Sequence, residues 1–248
     1  MLPYISIFGL TISLYGVCMA TAFLICLLLF ARRMKLIGWT FEQSTVMAVA
    51  IMLCSLIGAF FLHRLIAAVD NTSASEGSGF VLYGGIIAGT ASCIFLCKIK
   101  GVNVWKVMDV IASIVPLGQG IGRVGCFVSG CCYGKQTNGL LHIIYSHPGS
   151  RAPQGIPLIP VQMYEAMFDV ILFLFLSYGL KKERTLHLTS VLYLLLYSTF
   201  RFIIEFFRGD AVRGIWGGLS TSQWISLMFL PMILFFFVRL WKNCRANK

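Results

Sequence analysis

A chain of 248 residues with 58% hydrophobic side chains, 12% charged ones and a mean hydropathy of +0.84 stands far from soluble domains, in which about a quarter of residues are charged. A soluble globule is excluded, and at roughly 20 apolar residues per crossing of about 30 Å of hydrocarbon there is room for roughly six to eight helical spans and little else. The 20 Lys and Arg against 9 Asp and Glu give a formal charge of +11; in a membrane chain such charges report topology first, and no nucleic-acid motif accompanies them.

Apolar segments run at about 5–31, 46–69, 80–97, 103–121, 161–180, 187–206 and 222–241. Alternation is too weak for a lipid-facing barrel. The expected fold is therefore all-α, a polytopic integral membrane protein with seven transmembrane helices in one membrane-embedded domain, 1–248. The first segment lacks a basic leader and a small-residue cleavage pattern, so it reads as a retained span. Asp70 to Gly79, rich in Asn, Ser and Gly, reads as a turn. Gly118 to Pro160 is long and rich in Gly and Pro, and its Phe, Tyr, Leu and Ile content points to an ordered cap at the interface. Basic clusters alternate with the spans: Arg32, Arg33 and Lys35; Lys98 and Lys100; Lys181, Lys182 and Arg184; Arg239, Lys242, Arg245 and Lys248. Counting positive residues as inside places the amino end and the cap outward and the carboxyl end in the cytoplasm.

The sixth span carries Tyr197, Arg201, Glu205 and Arg208 at i, i+4, i+8 and i+11, one face of a helix. Charges in lipid face a protein interior or a cavity, so the stripe reads either as a self-satisfied Arg201–Glu205 pair or as an anion site. Arg123, between Gly122 and Gly125, reads as a phosphate fork or as an interface charge that snorkels. Gln162, Glu165 and Asp169 share a face of the fifth span, Asp109 lies on the fourth, and each carboxylate is expected to meet an Arg or a backbone amide or to be protonated. Arg213, Lys135 and Arg151 read as interface charges. Tyr15 and Tyr83 read first as interface anchors.

The nine cysteines lie largely within apolar stretches and suggest no disulfide framework. Cys126, Cys131 and Cys132, followed by His142 and His147, supply zinc-ligand types at a spacing that fits no common finger or ribbon, so no metal or other cofactor is expected. A disulfide from Cys126 to one of the adjacent pair, or a nucleophilic thiol near guanidinium groups, are the other readings.

Pro116-Leu-Gly-Gln-Gly-Ile-Gly-Arg-Val-Gly-Cys-Phe-Val-Ser-Gly-Cys-Cys-Tyr-Gly134 resembles the signature of the bacterial phosphatidylglycerol:prolipoprotein diacylglyceryl transferases. The order of Tyr15-Gly16, Tyr83-Gly84-Gly85, Asp109, Pro160 to Glu165 and Arg201 to Arg208 is similar to that family's over nearly the whole chain. The resemblance implies a bacterial cell-membrane enzyme with seven spans, an outward cap and its amino terminus outside. It implies transfer of the diacylglyceryl group of phosphatidylglycerol to the lipobox cysteine of a prolipoprotein signal peptide, which forms a thioether and releases glycerol phosphate. It further implies catalytic roles for Arg123, Arg201, Tyr83 and Tyr15, and a substrate site lined by Glu205, Arg208, Gln162, Tyr197, Gly84, Gly85, Cys126, Cys131 and Gly134. The partners implied are the lipid, the signal peptide and the bilayer.

Three positions depart from the pattern. Tyr83 stands where the family has a His before Gly-Gly, Cys126 where it has Asn, and Cys131 where it has Glu. An unperturbed tyrosine, with a pKa of about 10, is a poor general base. Two further readings therefore stand beside the first: a paralogue with the same lipid donor and a different acceptor, and a non-catalytic lipid-binding protein.

Overall fold

The computed structural model describes residues 3–7, 10–69, 82–180, 188–210 and 215–246. Helices α1 (Leu14–Met34), α2 (Phe41–Val69), α3 (Leu82–Ile99), α4 (Val104–Ser129), α5 (Val161–Leu180), α6 (Leu188–Ile204) and α7 (Thr221–Ala246) dominate it. All seven are long and apolar enough to cross a membrane. Three small antiparallel ladders complete it: β1 (Tyr4–Ile7) with β2 (Leu10–Ser13), β3 (Ile143–Ile144) with β4 (Pro157–Leu158), and β5 (Ile215–Trp216) with β6 (Leu219–Ser220). The expected turn at 70–79 and the basic residues Lys181, Lys182, Arg184, Arg213 and Lys248 lie outside the described residues.

Element ends differ from the apolar segments for local reasons. The first helix starts at Leu14 instead of residue 5, because Tyr4 pairs with Ser13 and Ile5 with Ile12 in a hairpin, a fold suited to its β-branched side chains. The second starts earlier, at Phe41. Thr40 Oγ1 accepts from the Gln43 amide while Gln43 Oε1 accepts from the Thr40 amide, a reciprocal cap that lets a polar first turn be helical. Ser220 and Gln223 repeat the device at the head of α7.

The largest correction concerns α4, which runs on to Ser129 through a stretch expected to be loop. Its glycines are tolerated because neighbours press against them. A Cβ on Gly125 would lie 3.0 Å from Cys18 Cβ and 3.2 Å from the Tyr15 ring, and one on Gly120 would lie 3.3 Å from the Ala166 carbonyl oxygen. In lipid, where no hydrophobic force drives helices together, such small residues let backbones approach.

The chain forms two compact units, Leu27–Val110, and Met1–Cys26 with Ile111–Lys248. Within the first, α2 packs on α3 through a seam of small residues: a Cβ on Gly84 would strike the Gly58 carbonyl, and one on Gly85 would lie 3.2 Å from the Ser55 carbonyl oxygen. Within the second, residues 130–160 form the ordered cap, built on Tyr145, Ala152 and Leu158 with Tyr133, Ile143 and Ile156 packed against them. Tyr145 is buried and donates from its hydroxyl to the Phe127 carbonyl at 3.1 Å, which ties the cap to the end of α4.

Candidate active site

Charged residues of three helices converge within the second unit. Arg123 rides the last turns of α4, Glu165 the first turns of α5 and Arg201 the last turn of α6. Glu165 is the hub: its Oε1 lies 2.7 Å from Arg201 Nη1 and 3.7 Å from Arg208 Nη1, and its Oε2 lies 3.2 Å from Arg123 Nε. Glu205 accepts from Arg201 Nη2 and stands 3.8 Å from Arg208 Nε. Arg208 forms a bidentate pair with Asp210 at 3.0 and 2.6 Å.

This network solves a solvation problem and leaves a remainder. A lone charge at the centre of a bilayer costs about 2.5–3.5 kcal/mol on insertion scales, whereas here guanidiniums and carboxylates offset one another. Burial opposes the charge on Arg208, but its hydrogen bonds to Asp210 and the nearby Cys132 and Glu165 more than compensate, so its pKa is held above the ordinary arginine value. The pairing is not saturated. Arg123 engages Glu165 through Nε alone, and among the described residues nothing accepts a hydrogen bond from its terminal nitrogens. Arg208 Nη1 is buried without a hydrogen-bond acceptor. A planar fork with both terminal nitrogens available matches a pair of phosphate oxygens.

Beside Arg208 lies a cluster of thiols. Gly130 (φ +70°) ends α4, Cys132 takes the left-handed conformation at φ +58°, and the amide of Cys131 donates back to the Cys126 carbonyl at 3.1 Å. The sulfurs of Cys126, Cys131 and Cys132 all come within 4.8 Å of one another. The neighbouring thiols, and after them Arg208, hold the Cys132 thiol below its ordinary pKa.

Comparison with known proteins decides what this site belongs to. Residues 3–239 match the family model described as prolipoprotein diacylglyceryl transferase. A phosphatidylglycerol–prolipoprotein diacylglyceryl transferase of Clostridium tetani is 37% identical over 237 residues, covering 93% of this chain and 94% of that protein. One from Clostridium perfringens is 36% identical over 233 residues, 90% and 89% of the two chains. Another, from Dehalococcoides mccartyi, is 31% identical over 250 residues, 98% and 95% of the two. The chain belongs to the prolipoprotein diacylglyceryl transferase family.

In this family member, Arg123, Arg201 and Arg208 are brought together through Glu165, and Glu205 joins Arg201 and Arg208, by a local route other than one helical face. The helical stripe breaks after Ile204. Glu205–Phe207 tighten into a 3-10 turn and Arg208 is extended, because the cap draws this segment away: Lys135 donates to the Phe207 carbonyl at 2.8 Å and Gly209 to the Tyr133 carbonyl at 3.0 Å. Tyr197 stacks on Tyr193 with ring centroids 5.6 Å apart. Tyr15, at the start of α1, lies against Gly125.

Other expected site residues take positioning places. Gln162 is wholly buried, and its amide nitrogen donates to the Cys131 carbonyl at 2.8 Å and the Tyr145 hydroxyl at 3.4 Å. Gly134 pairs with Arg208 in a bridge and has no room for a Cβ beside Ile159. Tyr83, Gly84 and Gly85 belong to the other unit, where the two glycines serve the α2–α3 seam and Tyr83 is half exposed at the start of α3. His142 and His147 do not join the thiols; their Nδ1 atoms bond locally to Gly139 and Gly149.

Asp210 was not singled out in the sequence, whereas Glu165 was legible as a carboxylate expected to meet an arginine and Cys132 as one of three neighbouring thiols.

Proposed function

We propose that this protein transfers the diacylglyceryl group of phosphatidylglycerol to the thiol of the lipobox cysteine in a prolipoprotein signal peptide, at the bacterial cell membrane and from its outer leaflet. The observation that carries this reading is the convergence of Arg123, Arg201 and Arg208 on Glu165 with the fork of Arg123 left open. The reaction breaks a carbon–oxygen bond with a phosphate as leaving group, so charge develops on phosphate oxygens in the transition state. Fixed guanidiniums in a site shielded from water stabilise that charge without reorganising. Arg123 and Arg208 take the phosphate; Glu165 and Glu205 hold Arg201 and Arg208 in place. The named relatives support the donor and acceptor classes.

The test is to incubate detergent-purified protein with phosphatidylglycerol and a lipobox peptide and to follow both products by mass spectrometry. The diacylglyceryl thioether and glycerol phosphate are expected together. Arg123→Ala is expected to lower the rate by about a hundredfold or more, the usual scale for removing a transition-state charge contact. Glycerol phosphate without modified peptide would replace the acceptor with another. Undiminished transfer by Arg123→Ala would remove the arginine site from the chemistry.

A further inference from the structure

We propose that Cys126, Cys131 and Cys132 bind a zinc ion whose fourth position receives the acceptor thiol, so that the metal supplies the thiolate for the transfer proposed above. Zinc bound by thiolates at about 2.3 Å in a tetrahedron places the sulfurs about 3.8 Å apart. The three sulfurs already lie within 4.8 Å of one another, one buried and two partly accessible, so modest side-chain rotation closes the site and leaves one side open. Three protein ligands with one open position is the arrangement of catalytic zinc, as distinct from the four-ligand structural kind.

The surroundings favour the same assignment. Three thiolates around a divalent ion carry one net negative charge, and Arg208 and Arg123 stand close enough to interact with Cys132. Gln162 fixes the Cys131 carbonyl from the base of α5. The arginine network cannot do this work itself: guanidiniums stay protonated, and Glu165 and Glu205 are already engaged by arginines. A ligated thiol, by contrast, is deprotonated outright.

The step balances without another reactant. The acceptor S–H loses its proton to water on binding zinc. The sulfur lone pair then attacks the glyceryl carbon of phosphatidylglycerol, a C–S bond forms, and the C–O bond breaks with its electron pair passing to the phosphate held by the arginines. Glycerol phosphate leaves, and the thioether, a weak ligand, dissociates from the metal.

Inductively coupled plasma mass spectrometry on the full-length protein, purified without chelator from zinc-supplemented cells, is expected to find stoichiometric zinc. Cobalt substitution should give an intense thiolate-to-cobalt band that shifts when lipobox peptide is added. Cys126→Ser and Cys131→Ser should lose metal, while Cys93→Ser, in the other unit, should retain it. Because a cysteine variant can fail through misfolding, the wild-type protein is also stripped by chelation: thioether formation should be lost and return with zinc. Wild-type protein without zinc or cobalt band, or an oxidised Cys126–Cys131 or Cys131–Cys132 bridge in a thiol count, overturns the site. Bound zinc with transfer indifferent to its removal overturns the activating role. Metal content is read without turnover, so a metallated protein that modifies no thiol overturns the proposed reaction and not the metal site.

Discussion

Among the described residues, Glu165 is a carboxylate that all three arginines approach, at 2.7, 3.2 and 3.7 Å. Glu165→Gln keeps the shape and removes the charge, leaving guanidiniums facing one another with Glu205 and Asp210 as ion-pair partners. Breaking one side of a buried ionic network costs about 3–5 kcal/mol, because the remaining charge is buried without compensation. The expected result is a large fall in thermal stability in detergent, partly recovered when inorganic phosphate is added as a substitute anion. A variant as stable as the wild type would show that Glu165 does not hold the network. The residue types of this site were readable in the sequence, since Arg201, Glu205 and Glu165 are costly in lipid and must meet. Which carboxylate all three arginines share was not, because it depends on how α4, α5 and α6 are placed beside one another.

At the scale of elements, the glycines separate packing from ligand binding. Gly84 faces the Gly58 carbonyl across the α2–α3 seam, so Gly84→Ala must push two backbones apart, an overpacking cost of about 1–3 kcal/mol. Its melting temperature in detergent without lipid should drop; an unchanged value would return Gly84 to the substrate site that its motif implied. The cap offers a pH test. Burial pushes the Tyr145 hydroxyl up to about 12, against about 10 in an unfolded chain. The folded state therefore favours the protonated form, and the stability this gives is complete below about pH 10 and lost as pH rises towards 12. Tyr145→Phe also leaves the Phe127 carbonyl without its donor, at about 1–2 kcal/mol. Melting curves should show the wild type ahead of this variant at pH 8, with the gap narrowing through pH 10–12; a constant gap would discard the titration. Apolar periodicity located every helix, but it could not see the Thr40–Gln43 cap that lengthens α2 or the glycine-lined contacts that carry α4 to Ser129. Both depend on hydrogen bonds and close approaches that hydropathy does not record.

On the scale of the whole molecule, the arginine site must face one side of the membrane, and the charges along single helices argue which. Helix α7 lies wholly within the unit that holds the site: Gln223 at its head donates to the Phe202 carbonyl near the site, and Arg239 and Lys242 lie at its far end. Basic residues are retained on the cytoplasmic side, and the proposed reaction, with its outer-leaflet donor and emerging signal peptide, requires the site and the cap to face the other way. Leu140, fully exposed in the cap, and Lys242, exposed towards the far end of α7, belong to the same unit. In intact cells, a membrane-impermeant maleimide should label Leu140→Cys and spare Lys242→Cys until the membrane is opened. The reverse pattern would turn the site towards the cytoplasm, where an arginine fork would meet free phosphate esters as well as lipid, and would withdraw the outer-leaflet donor from the proposed reaction.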